Sequence, residues 1–195
     1  MNLPNKITLS RIVLAFIFMF LLFSRGIAAR YLALFTFCLA SLTDFFDGRI
    51  ARRKKVESDF GRLMDPIADK ILTLAAFLAF VEMKIIPAWM VIVIIFRELV
   101  ITGLRLNAAR RGKVSSASLA GKHKIVSQMV AIISILIFLI IKESARDIWS
   151  PVWELWFKRM VFYLMLVTVA LTLVSGLSYL LRNKGILFAV NEKSS

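Results

Sequence analysis

Long runs of apolar residues constrain the fold of this chain more than any other feature of its sequence. A helix needs about 20 apolar residues to cross the hydrocarbon core of a bilayer, and six runs approach that length. The apolar residues are contiguous rather than alternating, which disfavours the strands of a membrane barrel. The sequence therefore predicts an all-α, polytopic membrane protein, with residues 1–195 forming one integral membrane domain. The six predicted transmembrane helices cover roughly residues 6–24, 30–52, 61–82, 87–108, 122–142 and 156–181.

The chain is also strongly basic, with a formal net charge of +14 over 195 residues. Its lysines and arginines flank the apolar runs, where anionic lipid head groups and anionic substrates attract them. Membrane lipids are therefore expected partners, and nucleic acid is not. Basic residues concentrate near the N-terminus, in residues 49–62 and 105–124, and near the C-terminus. By the positive-inside rule, this multi-pass cell-membrane protein has both termini and its active site on the cytoplasmic side.

Four aspartates interrupt the apolar pattern around the second and third predicted spans. Asp44 and Asp47 are three residues apart, and Asp65 and Asp69 are four apart, so each pair shares one helix face. Carboxylates are costly inside a membrane and mark candidate functional sites. Salt bridges to nearby lysines are the alternative, but apolar residues flank Asp44 and Asp69. A compact cage of oxygen ligands suits hard cations, which predicts two divalent ions, Mg²⁺ or Mn²⁺.

Small residues lie on the same two helix faces as the aspartates. Gly48 and Ala51 precede Arg52 on the second predicted helix, and Gly61 lies on the third. Such residues allow close helix packing, and they equally leave room for a bulky substrate group beside a cation. Carboxylate-held metals, an anionic ligand and a membrane together indicate phosphoryl transfer to or from a lipid.

These eight residues resemble, at every position, the signature of the CDP-alcohol phosphotransferase family. The matching pattern is Asp44-x2-Asp47-Gly48-x2-Ala51-Arg52-x8-Gly61-x3-Asp65-x3-Asp69. The six-span layout is similar too, so the resemblance extends over nearly the whole chain. It implies a six-helix bundle that transfers a substituted phosphoryl group from a CDP-linked substrate to an alcohol and releases CMP.

The resemblance also implies a role for each residue of the pattern. Asp44, Asp47 and Asp65 would be metal ligands, and Asp69 would be a metal neighbour and the general base. The residues implied for the cytidine diphosphate pocket are Gly48, Ala51, Arg52 and Gly61.

The segment from Phe96 to Met129 resembles the corresponding region of family members that make phosphatidylglycerol phosphate from sn-glycerol 3-phosphate. Asn107 and Ile125 depart from that pattern, which has an acidic residue and a threonine there. Glycerol 3-phosphate is a small dianion, so its pocket needs several fixed cations. The candidates for binding the acceptor phosphate are Arg97, Arg105, Arg110, Lys113, Lys122 and Lys124.

Arg97 is the deepest of these cations, about 15 Å into its predicted helix at 1.5 Å per residue. A charge at that depth needs a partner. Glu98 is adjacent in sequence and is expected to face elsewhere on the helix. The alternative to a ligand role for Arg97 is an ion pair with one of the four aspartates.

The predicted function is transfer of the phosphatidyl group of CDP-diacylglycerol to sn-glycerol 3-phosphate, giving phosphatidylglycerol phosphate and CMP. Within the family, the alternative acceptors are inositol phosphate, inositol, serine and phosphatidylglycerol. A divalent-cation transporter is the alternative from another class, although transporters often show paired halves and broken helices, which are not evident in this sequence. A homodimer is compatible with the sequence, which does not decide the oligomeric state.

Overall fold

The computed structural model describes residues 3–50, 59–110 and 119–183, and these residues are helical except for short turns. Within these residues, side chains are described for 9–43, 70–106, 108, 121 and 123–183. A single 3₁₀ turn at Arg146–Ile148 precedes the last helix, and no strand occurs in these ranges. The helices are α1 (Leu3–Phe23), α2 (Ile27–Ile50), α3 (Asp59–Glu82), α4 (Ala88–Arg110), α5 (Leu119–Ser144) and α6 (Pro151–Arg182).

Each of these six helices coincides with one predicted span, and the all-α prediction is confirmed. The bounds of α1 to α5 agree with the predicted spans to within three residues. The last helix begins five residues earlier than predicted, at Pro151. Ser150 caps it by accepting a hydrogen bond from the backbone N–H of Val152 at 3.3 Å, and Pro151 occupies the first turn, where its missing N–H costs nothing.

Membrane crossing by all six helices is not confirmed by length and composition alone. Among the described residues, two helical segments are long and apolar enough to cross a bilayer, His123–Ser144 and Pro151–Arg182. Two further apolar segments are shorter, Leu9–Phe23 and Ile27–Thr43. Charged side chains within α4, including Arg97 and Glu98, interrupt its apolar sequence.

The helices pack around one apolar core to which all six contribute. Helix α1 packs against α2 and α3, α5 packs against α2 and α6, and α4 packs against α3 and α6. Phe18 of α1 and Phe37 of α2 are fully buried, and their ring centroids are 5.6 Å apart. Buried alanines of the same core, including Ala33 and Ala76, let neighbouring helices approach closely.

Two short turns lie at the end of the bundle opposite the predicted aspartate site. Between α1 and α2, Gly26 has a φ of 101°, a left-handed conformation that favours glycine. Between α3 and α4, Lys84 has a φ of 56°, and its backbone N–H donates to the Val81 carbonyl at 2.9 Å. These turns are too short for the chain to cross the bundle, so each makes its two flanking helices antiparallel neighbours.

The outer surface of the bundle is apolar to an extent that a water-soluble protein rarely shows. Large apolar side chains that lie exposed include Phe16, Phe20, Phe35, Phe96 and Trp153. Exposed large apolar side chains occur on all six helices, on faces that turn away from the core. This apolar exterior, together with the two long apolar segments, indicates a membrane protein.

The core predicts a contrast between two adjacent residues of α3. Phe77 is fully buried, whereas Leu78 is 51% exposed. We expect Phe77→Ala to lower the free energy of unfolding by about 3–5 kcal/mol, because it leaves a cavity among close-packed neighbours. The matched variant Leu78→Ala leaves no such cavity and should shift stability far less. Thermal unfolding of both purified variants in detergent checks this, and equal losses would contradict the packing described.

Candidate functional site

The aspartates of the sequence pattern lie near the end of α2 and the beginning of α3. Asp44 and Asp47 are in the last two turns of α2, and Asp65 and Asp69 are in the first three turns of α3. Their side chains lie outside the described residues, so the predicted cage remains a prediction. The backbone is helical at both pairs, so the two aspartates of each pair lie on the same face of their helix.

The pocket predicted for cytidine diphosphate also falls largely outside what the structure describes. Gly48 lies on α2 and Gly61 on α3, and the structure describes their helical backbone but not their surroundings. Ala51 and Arg52 lie outside the described residues altogether. Their assignment therefore remains a prediction from the sequence pattern.

The donor chemistry of the four aspartates fits a divalent metal. Carboxylate oxygens are the preferred ligands of Mg²⁺ and Mn²⁺, and two helices can present them from two sides. Elsewhere, among side chains that the structure describes, no three histidine, cysteine or acidic groups come together as a metal site. The aspartates remain candidate metal ligands on the grounds of their donor chemistry and helical spacing.

A cavity of about 190 Å³ lies within one helical turn of both aspartate pairs along the backbone. From α2 it is lined by Ala40 and Ser41, which precede Asp44 by about one turn. From α3 it is lined by Lys70, which directly follows Asp69. Its polar lining residues are Arg11, Ser41, Lys70, Thr73, Glu98, Lys124 and Gln128. The cavity thus combines cationic and hydrogen-bonding side chains in an otherwise apolar bundle.

A single carboxylate organises the cations of this cavity. The side chain of Glu98 on α4 is only 13% exposed. Its Oε1 lies 2.7 Å from Nζ of Lys70 on α3, and its Oε2 contacts Nζ of Lys124 on α5. Nη1 of Arg97 lies 3.3 Å from the same Oε2. One carboxylate therefore draws together cations from three helices.

The contact between Arg97 and Glu98 corrects the expectation that these neighbours face apart. Adjacent helical residues do point about 100° apart, but the guanidinium lies at the end of a long side chain and reaches back to the carboxylate. The other terminal nitrogen of the guanidinium, Nη2, donates to Oγ of Ser175 on α6 at 2.8 Å. Arg97 thus lies behind Glu98, between α4 and α6, and is not among the residues that line the cavity. Its predicted role in binding the acceptor phosphate remains a prediction.

Helix α6 provides the space that Arg97 occupies. A Cβ atom added to Gly176 would lie 3.2 Å from Cγ of Arg97, so the glycine lets the arginine stem lie close against the helix. The same face of α6 is polar and buried, with Thr168, Thr172 and Ser175 following at helical spacing. This face accommodates a buried guanidinium where an apolar face would leave it without a hydrogen-bond acceptor.

For the other residues predicted to bind the acceptor phosphate, the structure describes the side chain of Arg105 alone. The guanidinium carbon of Arg105 lies 5.4 Å from the ring centroid of Tyr179 on α6, within the range of a cation–π contact. Arg110 and Lys122 are on the ends of α4 and α5, and their side chains are not described. Lys113 lies outside the described residues. The structure therefore brings Arg97 and Lys124 together at one carboxylate and leaves the other four as predictions.

Two residues of this cluster were missed by sequence reasoning. Lys70 was not selected as a site residue. It directly follows Asp69, and a lysine in that position is readily explained as a counter-charge to the aspartates. Glu98 was included in the resemblance of residues 96–129 to other family members, but it was given no role in the site and was considered a poor partner for Arg97. The available signal was three charges inside apolar helices, Lys70, Glu98 and Lys124, which must pair because none of them could be buried alone.

This chain is similar to known proteins over most of its length. The sequence profile of the CDP-alcohol phosphatidyltransferase family matches residues 1–174. A Bacillus subtilis (strain 168) protein named CDP-diacylglycerol–glycerol-3-phosphate 3-phosphatidyltransferase is 38% identical over 194 residues, or 93% of this chain and 95% of its own length. A Shigella flexneri protein of the same name is 34% identical over 185 residues, or 92% of this chain and 93% of its own.

A third relative matches a smaller part of the chain. A Mycobacterium tuberculosis (strain ATCC 25618 / H37Rv) protein named probable phosphatidylglycerophosphate synthase is 42% identical over 134 residues, or 67% of this chain and 64% of its own length. The family profile covers both aspartate pairs and the helices that form the cavity. This chain therefore belongs to the CDP-alcohol phosphatidyltransferase family.

Proposed function

We propose that this protein transfers the phosphatidyl group of CDP-diacylglycerol to sn-glycerol 3-phosphate, giving phosphatidylglycerol phosphate and CMP. The single observation that carries the choice of acceptor is the cationic cavity at Glu98, next to the aspartate pairs. The names of the relatives that match most of the chain support the same reaction. A divalent-cation transporter is no longer an alternative, because the family is one of transferases.

The protein is proposed to cross the cell membrane six times, once with each helix. The apolar exterior supports this arrangement, and so does the distribution of charge along the sequence, because the basic segments alternate with the less basic ones between successive helices. Both termini and the aspartate pairs then lie at the cytoplasmic end. This location gives access to water-soluble glycerol 3-phosphate from the cytosol and to the lipid substrate from the membrane.

On the donor side, the two aspartate pairs are proposed to hold two divalent ions, with Gly48, Ala51, Arg52 and Gly61 around the cytidine diphosphate group. When bound, such ions would supply electrostatic stabilisation of the charge on the transferring phosphoryl group and on departing CMP. The glycines and the alanine leave space for the nucleotide, and Arg52 offers a fixed positive charge to its phosphates.

On the acceptor side, Asp69 is proposed to be the general base. It accepts the proton of the primary hydroxyl of glycerol 3-phosphate as that oxygen attacks the lipid-side β-phosphorus. The new bond joins this oxygen to phosphorus, and the bond to the bridging oxygen of the diphosphate breaks to release CMP. Lys70, directly after Asp69, and Lys124 hold the acceptor's phosphate at the cavity and so orient its hydroxyl toward the donor.

A panel of acceptor alcohols tests the proposed function directly. Purified protein is given CDP-diacylglycerol and Mg²⁺ together with sn-glycerol 3-phosphate, inositol phosphate, inositol, serine or phosphatidylglycerol, and CMP release is measured. We expect release with sn-glycerol 3-phosphate and little with the uncharged or zwitterionic alcohols, because the cavity carries fixed cations. Preferential release with any other acceptor would contradict the proposed substrate while leaving the transferase family unaffected.

The role of Asp69 predicts a large loss of turnover when its carboxylate is removed. Asp69→Asn keeps the size of the side chain but cannot accept a proton, so we expect kcat to fall by about 10²–10⁴-fold. The variant should remain folded and should still bind CDP-diacylglycerol. Asp147→Asn, an exposed aspartate at the other end of the bundle, is the matched control. Near-normal turnover in the Asp69 variant would remove this residue from the mechanism.

The metal site predicts that activity depends on a divalent cation. Chelation with EDTA should abolish CMP release, and an excess of Mg²⁺ or Mn²⁺ should restore it. Asp44→Ala and Asp65→Ala each remove one ligand, so they should raise the metal concentration needed for half-maximal activity or abolish activity. Full activity in metal-free buffer would exclude the two-metal arrangement.

A further inference from the structure

We propose that Glu98 is a positioning residue for the acceptor, holding the ammonium groups of Lys70 and Lys124 together as a cradle for a phosphate monoester dianion. This inference deepens the proposed function and rests on it, because it assigns the recognition of the acceptor's phosphate to a defined set of side chains. Lys70 becomes a direct phosphate contact that the sequence pattern did not indicate.

The geometry of the carboxylate supports a bridging role. Each of its two oxygens takes one lysine, with Lys70 on Oε1 at 2.7 Å and Lys124 on Oε2. The two lysines come from different helices, α3 and α5, and both line the cavity. Two ammonium groups facing one small cavity would repel each other, and a carboxylate between them offsets that repulsion. Glu98 therefore keeps both groups at the cavity wall.

The carboxylate is itself fixed from behind. Arg97 contacts Oε2 at 3.3 Å, and Ser175 accepts a hydrogen bond from the other arm of the guanidinium. Nζ of Lys70 also donates to Oγ1 of Thr102, one turn after Glu98 on α4. These contacts involve α3, α4, α5 and α6, so the cluster is anchored by four helices. Such support is what holds a binding group at a defined position before the ligand arrives.

The charge of the cluster matches a dianion. Lys70, Arg97 and Lys124 carry three positive charges around the single negative charge of Glu98, which leaves two in excess among these four side chains. Excess charge in a poorly solvated site is unfavourable until a counter-charge binds. A phosphate monoester supplies up to two negative charges, whereas serine and inositol supply no net charge.

The size of the cavity also favours a small ligand. Its volume of about 190 Å³ equals the share of roughly six water molecules at about 30 Å³ each. That space suits the phosphate of a small acceptor better than a second lipid. The diphosphate of CDP-diacylglycerol has similar chemistry, however, and the test must separate these two sources of phosphate.

The test measures the kinetics of two variants with CDP-diacylglycerol and sn-glycerol 3-phosphate. Glu98→Gln removes the charge, and Glu98→Asp keeps the charge but draws the carboxylate back by one methylene. We expect Glu98→Gln to raise the KM for sn-glycerol 3-phosphate by about 10- to 100-fold, which is the range that one charge-assisted hydrogen bond supplies. Glu98→Asp should raise it less, and the KM for CDP-diacylglycerol and kcat should change far less in both.

The opposite end of the bundle offers a matched control. Glu154 also bridges two lysines, with Lys142 on Oε2 at 3.0 Å and Lys158 on Oε1 at 3.1 Å. Glu154→Gln makes the same chemical change at a site far from the cavity, so it should leave both KM values unchanged. Thermal unfolding of every variant in detergent identifies loss of fold. If Glu98→Gln does not fold, the charge-conserving Glu98→Asp decides the outcome.

A second readout separates positioning from a general structural role. Wild-type protein should prefer sn-glycerol 3-phosphate to glycerol, and both Glu98 variants should lose part of that preference, because the cradle recognises the phosphate. In a double-mutant cycle, Lys70→Gln should cost less in the Glu98→Gln background than in wild type, since the carboxylate acts through the lysine. Independent, multiplicative effects would contradict this coupling.

Several outcomes would overturn the inference. A lower KM for sn-glycerol 3-phosphate in Glu98→Gln would mean that the carboxylate competes with the ligand. A rise confined to CDP-diacylglycerol would assign the cations to the donor. To separate this inference from the proposed function, the Kd of inorganic phosphate is measured without turnover. Weaker phosphate binding in Glu98→Asp supports the cradle even if another acceptor proves to be the substrate, and unchanged binding refutes it.

Discussion

The ion-pair cluster at Glu98 is the constraint around which the polar interior of this bundle is arranged. A carboxylate in an apolar environment is stabilised only by close cations and hydrogen bonds, and here Lys70, Arg97 and Lys124 provide them. Two of these cations also donate hydrogen bonds to hydroxyl groups, Lys70 to Thr102 on α4 and Arg97 to Ser175 on α6. Gly176 then makes room for the arginine stem. A single buried charge thereby sets the identity of side chains on four helices.

The apolar runs were sufficient to predict the helices, and they failed mainly where a helix begins with polar or interfacial residues. The six predicted spans correspond to six helices in order and approximate length. The start of α6 was placed late because its first turns contain Glu154 and tryptophans, so apolar-run length did not detect them. The serine–proline cap at residues 150–151 was the local signal that marked the true start. Membrane crossing is supported by hydropathy for two helices, since charges within α4 reduce its apolar character.

The sequence indicated which residues were candidates for the functional site, but it did not indicate which side chains contact one another. Helical spacing indicated which aspartates share a face, and the aspartate assignments remain predictions because their side chains are not described. Lys124 was predicted to bind the acceptor phosphate; the structure shows that it lines the cavity, and its role there remains a prediction. The pairing of Arg97 with Glu98 could not be predicted from helical angles. Their Cβ atoms point in different directions, but the long arginine side chain reaches the carboxylate all the same. Contacts between α3, α4 and α5 depend on the three-dimensional packing, which no local pattern encodes.

The shared carboxylate has a consequence for how acceptor preference can evolve in such a bundle. Replacing one lysine by a neutral residue removes a charge from the cavity, but it leaves the largely buried carboxylate of Glu98 with fewer partners. Replacing Glu98 alone leaves several cations in mutual repulsion. Conversion to an uncharged acceptor therefore requires coordinated replacements on separate helices, with intermediates that are less stable than either end point. On this account a single substitution weakens the preference for a phosphate-bearing acceptor, but it does not by itself create a site for an uncharged one.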